Sequence, residues 1–110
     1  MPVTAIRKQF DSYKIWYYSA RQFSWRVNMQ LYKGGGVVGR LMFMKKGQPL
    51  PDNHTDGNLV YLYYPIRRFE EIMGILRYEK PLYVALVPSN KIGYVGTADL
   101  EPVGEEESDP

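Results

Sequence analysis

The 110-residue sequence predicts an α+β fold, with antiparallel strands in the order β-β-β-β-α-β-β and a single amphipathic helix covering one face of the sheet. Three observations carry that prediction. In residues 23–33, FSWRVNMQLYK, Phe23, Trp25, Val27, Met29 and Leu31 alternate with Ser24, Arg26, Asn28, Gln30 and Tyr32, the period of a strand with one hidden face. In residues 65–80, PIRRFEEIMGILRYEK, the apolar period lengthens, and Ile66, Phe69, Ile72, Met73 and Leu76 fall on one helical face. Elsewhere, short β-branched and aromatic runs are separated by Gly, Pro, Asn and Asp.

Taken in order, residues 13–18 (YKIWYY) read as a first strand, with a start as early as Ile6 allowed. Residues 23–33 are the second, and Gly34, Gly35 and Gly36 supply a hairpin turn that accepts positive φ. Residues 37–46 (VVGRLMFMKK) are the third strand. A loop follows over 47–58 (GQPLPDNHTDGN), and residues 59–64 (LVYLYY) are the fourth strand. Pro65 suits the first turn of the helix, Glu70 and Glu71 its N-terminal half, and Arg77 and Lys80 its end. Arg67 and Glu71, four apart, are placed to pair across one turn. Gly74 weakens the helix slightly, and Lys80-Pro81 stops it. Strands at 82–87 (LYVALV) and 92–97 (IGYVGT) flank a PSNK turn. The division is one domain over 1–100 and an acidic, disordered tail over 101–110.

The formal charge of +2 conceals an asymmetry. Five of the 12 acidic residues (Glu101, Glu105, Glu106, Glu107 and Asp109) fall in the last ten positions, so residues 1–100 hold 14 basic against 7 acidic side chains, a balance of +7. A basic body attracts polyanions, and an acidic tail competes for the same surface or simply aids solubility. No cysteine is present, which excludes a disulfide framework, a thiolate metal site and a Cys nucleophile. With no signal-peptide pattern and no apolar run approaching the ~20 residues of a membrane span, the expectation is a soluble, cytoplasmic protein with no membrane partner.

Candidates for chemistry are few. His54 stands between Asp52 and Asp56, but turn-forming residues account for those letters and no second histidine exists. No metal or other cofactor is expected. Residues 33–39, KGGGVVG, lie between two strands, whereas a phosphate loop lies between a strand and a helix. NHT at 53–55 matches a glycosylation acceptor, which matters only in a secreted protein. No catalytic residue is assigned, and the chain is expected not to be an enzyme.

The strands are more informative. Arg26, Asn28, Gln30 and Tyr32 project from one face of the second strand; Lys33 follows at the hairpin, and Arg40, Lys45 and Lys46 lie on or at the end of the third. Lys14 and Arg21 flank the first turn. If the strands are adjacent, this is a basic, amide- and tyrosine-bearing face. Cations neutralise phosphates and rings stack on unpaired bases, which favours single strands over duplexes. A solvated face, or a protein-binding one, needs the same polarity.

Residues 25–76, WRVNMQLYKGGGVVGRLMFMKKGQPLPDNHTDGNLVYLYYPIRRFEEIMGIL, put four strands ahead of a helix. In this they resemble the single-stranded-DNA-binding transcriptional regulator fold of the eukaryotic positive coactivator and the plant Whirly proteins. YKGGG at 32–36 is similar to the Lys-Gly turn of the latter. The strands after the helix, and the aromatic first strand, depart from that pattern. The resemblance implies a non-catalytic domain that binds single-stranded DNA or RNA as a homodimer or higher homo-oligomer. Arg26, Asn28, Gln30, Lys33, Arg40, Lys45 and Lys46 become candidate contacts, with Tyr32 as the stacking partner. Phe69, Ile72, Met73 and Leu76 become core or subunit-interface residues. The alternative is a small protein-interaction module that does not bind nucleic acid.

Overall fold

A computed structural model describes residues 5–97; the acidic segment 101–110 lies outside the described residues, as does the end of the 1–100 domain. The strands are β1 (Ile6–Phe10), β2 (Ser12–Tyr17), β3 (Trp25–Lys33), β4 (Gly36–Met44), β5 (His54–Asp56), β6 (Leu59–Pro65), β7 (Leu82–Val87) and β8 (Ile92–Gly96). A 3-10 turn (Ile66–Arg68) leads into the helix α1 (Phe69–Tyr78). The class is α+β, and every strand pair but one is antiparallel.

The strands form two sheets instead of one meander: β2-β3-β4-β6-β5 and β1-β7-β8. Two local features produce the difference. The expected first strand is bent at Asp11, whose N–H donates to Tyr32 O at 2.8 Å, so that β1 leaves for the smaller sheet while β2 stays beside β3. Strands that change sheet at a bend are how sheets meet at a corner. The second feature is the long connection after β4, which returns the chain to the starting end of that strand. β6 therefore runs parallel to β4, with Arg40 beside Tyr61 and Phe43 beside Tyr64. A hairpin through Gly57, at φ 61°, then adds β5, three residues that the turn-forming letters hide.

The core lies between the sheets. Val27, Met29, Leu31, Leu41, Phe43, Val60 and Leu62 of the large sheet meet Phe10, Leu82, Val84, Leu86 and Val95 of the small one. The helix adds Ile72, Met73 and Leu76, so the small sheet and the helix together close the inner face that the helix alone was expected to cover. Phe69 is half-buried, its ring edge-on to Phe43 at 5.2 Å and to Tyr17 at 6.1 Å. At Gly39 an added Cβ would lie 2.8 Å from Val60 O and 3.3 Å from Val84 Cγ1 in the other sheet; only glycine permits this approach. Gly34 and Gly35, at φ 59° and 86°, make the expected β3–β4 hairpin turn. Glu71 pairs with Arg68 at 3.3 Å, not with Arg67. The 3-10 winding of Ile66–Arg68 takes Arg67 out of the α-helical i, i+4 relation.

Tyr64, stacked on Phe43 at 5.7 Å, has its phenol pushed above the usual range by burial, with the Arg68 guanidinium pulling the other way. Folding thus favours its neutral form. That contribution is intact below the ordinary phenol value of about 10 and is lost as pH rises past it. Thermal melts between about pH 9 and pH 11 should accordingly fall less steeply for Tyr64→Phe than for the parent chain; identical slopes would show that Tyr64 ionises as freely folded as unfolded.

Candidate nucleic-acid interface

With Val27, Met29 and Leu31 turned inward, alternation turns their neighbours outward. The strand registers fix what lies beside each. One row crosses all five strands of the large sheet: Lys14, Gln30, Arg40, Tyr61 and His54. The next row holds Trp16, Asn28, Met42 and Tyr63. A β-bulge in β3 sets Trp25 opposite Met44, while Arg26 O accepts the N–H of Tyr18 at 2.7 Å. The bulge thereby places both Trp25 and Arg26 at the outer face.

Cations and rings interleave on this face. Lys14 Nζ lies 5.4 Å from the centre of the Tyr32 ring, and Arg40 Cζ lies 5.7 Å from that of Tyr61. His54 stacks on Tyr61 at 4.9 Å and on Tyr63 at 5.6 Å. The Tyr32 hydroxyl donates to Gln30 Oε1 at 2.7 Å, which holds both side chains in place. At the far end Phe23 stacks on Trp25 at 4.8 Å, with Tyr18 edge-on to both. Tyr63 has its phenol pushed upward, first by burial and then by the neighbouring Tyr61. Asn28 is only 9 % exposed and its Oδ1 has no hydrogen-bond partner among the described residues; Arg40 Nε and Trp25 Nε1 are likewise unpaired. Buried polar atoms ordinarily find partners, so three unpaired ones on one face are unusual.

The structure therefore brings Arg26, Asn28, Gln30, Tyr32 and Arg40 together. Lys33 lies at the edge, paired with Asp11 at 3.8 Å across an exposed gap. Lys45 and Lys46 lie beyond the end of β4. The Lys45 Nζ donates to Ala20 O at 2.8 Å and Arg21 O at 3.3 Å, clipping the 18–24 loop, while Lys46 borders a groove of about 450 Å³ with Leu50, Ile66 and Arg67. The helix residues Ile72, Met73 and Leu76 are spent on the chain's own core. The sequence pattern puts Lys14 beside a turn and His54 in a turn-forming loop, and it does not assign Trp16, Tyr61 or Tyr63 to this face. The signal for the tyrosines was weak, because LVYLYY is apolar or aromatic at every position and gives no hint of which face is outward.

Other features offer less. Asp52 is 3.0 Å from Lys91 Nζ, and Asn53 accepts from Tyr63 N at 2.9 Å while donating to Lys91 O at 3.0 Å, so this loop ties the two sheets together. Among the described residues no cluster of His, Asp and Glu has the arrangement of a metal site, and no helix is long and apolar enough to cross a membrane. A cleft of about 800 Å³ lies between the Asp11 corner and the end of the helix, where Asp11 and Glu79 are mixed with Arg77 and Lys80. No protein-family model, curated protein or solved structure matches the chain.

Proposed function

We propose that this chain is a non-catalytic, cytoplasmic binding domain whose outer five-stranded face takes single-stranded DNA or RNA. The observation that carries the reading is the row Lys14, Gln30, Arg40, Tyr61 and His54, in which cations, an amide and aromatic rings alternate in register across five strands. Phosphates would lie against Lys14, Arg26, Lys33 and Arg40, and exposed bases against Trp16, Tyr32, Tyr61 and Tyr63. A duplex hides its base faces and would leave these rings without a role. The resemblance to the coactivator and Whirly proteins points the same way through Arg26, Asn28, Gln30, Tyr32, Lys33 and Arg40. In this reading Lys45 acts on the 18–24 loop and not on a phosphate. The acidic segment 101–110 competes for the same face.

The test is fluorescence anisotropy of a labelled mixed-sequence single strand with the full chain. Four phosphates neutralised by Lys14, Arg26, Lys33 and Arg40 give a slope of log affinity on log salt of about −2.8, so binding should weaken about 50-fold between 50 and 200 mM salt. A synthetic peptide of residues 101–110 should displace the strand, and a duplex should bind more weakly. No binding at the lower salt would overturn the reading and leave the face to a protein partner.

A further inference from the structure

We propose that the chain dimerises through its own β2 edge, with two β2 strands pairing antiparallel about a two-fold axis on Ile15 to make one ten-stranded sheet. β2 is an outer strand of the large sheet and is exposed at every position but Tyr13, which packs against the core. Ile15, Trp16 and Tyr17 are 36 %, 40 % and 63 % exposed, making it the main concentration of exposed large apolar side chains among the described residues. An exposed, bulge-free edge that contains no proline is a template for another strand.

The hydrogen-bond phase of that edge selects the partner and the register. Tyr18 N–H donates to Arg26 O at 2.7 Å, and the ladder continues Trp16 to Asn28 and Lys14 to Gln30. Even-numbered residues therefore turn their peptide groups toward β3, and Tyr13, Ile15 and Tyr17 turn theirs away from it, toward the unpaired edge. A two-fold axis that keeps the outer faces aligned must pair even residues with even ones. Centred on Lys14, it would set two lysines directly opposite in the close, non-hydrogen-bonded position, where like charges repel. Centred on Trp16, it would leave Tyr13 opposite the 18–24 loop. Centred on Ile15, it satisfies the outward peptide groups of Tyr13, Ile15 and Tyr17. It sets Ile15 on Ile15 and Tyr13 on Tyr17, and it places each Lys14 beside the partner's Trp16, a favourable cation and ring pair. The strand SYKIWY is thus self-complementary in charge and in shape, and a second copy of this chain is the occupant it fits. The inference does not rest on nucleic-acid binding, although such a dimer would double the outer face.

Sedimentation velocity of the full chain without nucleic acid provides the first test. The expected result is a dimer at micromolar concentration; Ile15→Lys and Ile15→Glu should each be monomeric, and an equimolar mixture of the two should recover a dimer. Because the chain has no cysteine, Ile15→Cys gives an unambiguous second readout. It should oxidise readily to a covalent dimer, since directly opposed residues lie within disulfide reach, and Lys14→Cys should do so more slowly. A parent chain that stays monomeric up to about 1 mM, a dimer indifferent to charge at Ile15, or faster cross-linking at Lys14→Cys would overturn the proposal.

Discussion

Phe43→Ala should lower the stability of the chain by about 3–5 kcal/mol, the range for deleting a fully buried aromatic side chain. Phe43 is 0 % exposed and packs in three directions. Its ring stacks on Tyr64 of β6, meets the edge of Phe69 on the helix and lies among the strands of both sheets. Truncation removes the contacts that tie the helix to the large sheet and leaves a cavity that neighbouring backbone cannot fill. Since small domains have only about 5–15 kcal/mol of total stability, the variant would stand near the limit of folding. Urea denaturation would read the change as a lower midpoint at unchanged slope. Phe43→Leu, which retains most of the volume, should lose much less. A loss below about 1 kcal/mol for the alanine variant would mean that the interior at Phe43 is far looser than its burial implies.

The second large effect concerns binding. Lys14→Gln combined with Arg40→Gln keeps side chains of similar length on the sheet but removes two cations. The salt slope for a single-stranded oligonucleotide should change from about −2.8 to about −1.4, since each neutralised phosphate contributes about −0.7. Affinity at low salt should fall by well over tenfold, while the thermal melt stays close to that of the parent, because exposed or ring-facing cations contribute little to folding. A matched Arg77→Gln and Lys80→Gln variant, in the cleft at the end of the helix and outside the row of Lys14 and Arg40, should bind as the parent does. Equal losses from the two pairs would show that overall charge, and not this face, attracts the strand.

Local pattern made much of this molecule legible. The alternation from Val27 to Leu31, the glycine pair of the hairpin and the helical spacing of Ile72, Met73 and Leu76 reappear as β3, the β3–β4 turn and the buried stripe of α1, whereas the bulge turns Trp25, which the alternation assigns to the hidden face, outward. These signals are intrinsic to short windows, where side-chain period and backbone preference agree. What was not legible depends on residues distant in sequence. IRKQF has no strong alternation and becomes β1 because Leu82, Val84 and Leu86 offer it a ladder. HTD becomes β5 because β6 has a free edge. The parallel pairing of β4 with β6 follows from where a long loop delivers the chain, which no window records. The candidate face divides in the same way. Arg26, Asn28, Gln30 and Tyr32 could be grouped by alternation within one strand, whereas Lys14, Tyr61 and His54 join them only through register. Lys45 illustrates the converse: a basic residue at a strand end, read as a phosphate contact, whose ammonium is occupied by two carbonyls.

The pairing of β1 with β7 joins Ile6 to Leu86 and Phe10 to Leu82, residues far apart in the described chain. During synthesis, then, the large sheet and its helix leave the ribosome before the strands that complete their cover. The apolar faces of Val27, Met29, Leu31 and Leu41 wait for β7 while β1 has no partner. For that interval the nascent chain is adhesive, and late ladder closure is the step at which folding is slow and self-association competes with it. Refolding of the chain should accordingly give a higher yield at lower protein concentration, because the β1–β7 ladder that closes the core joins residues far apart in sequence.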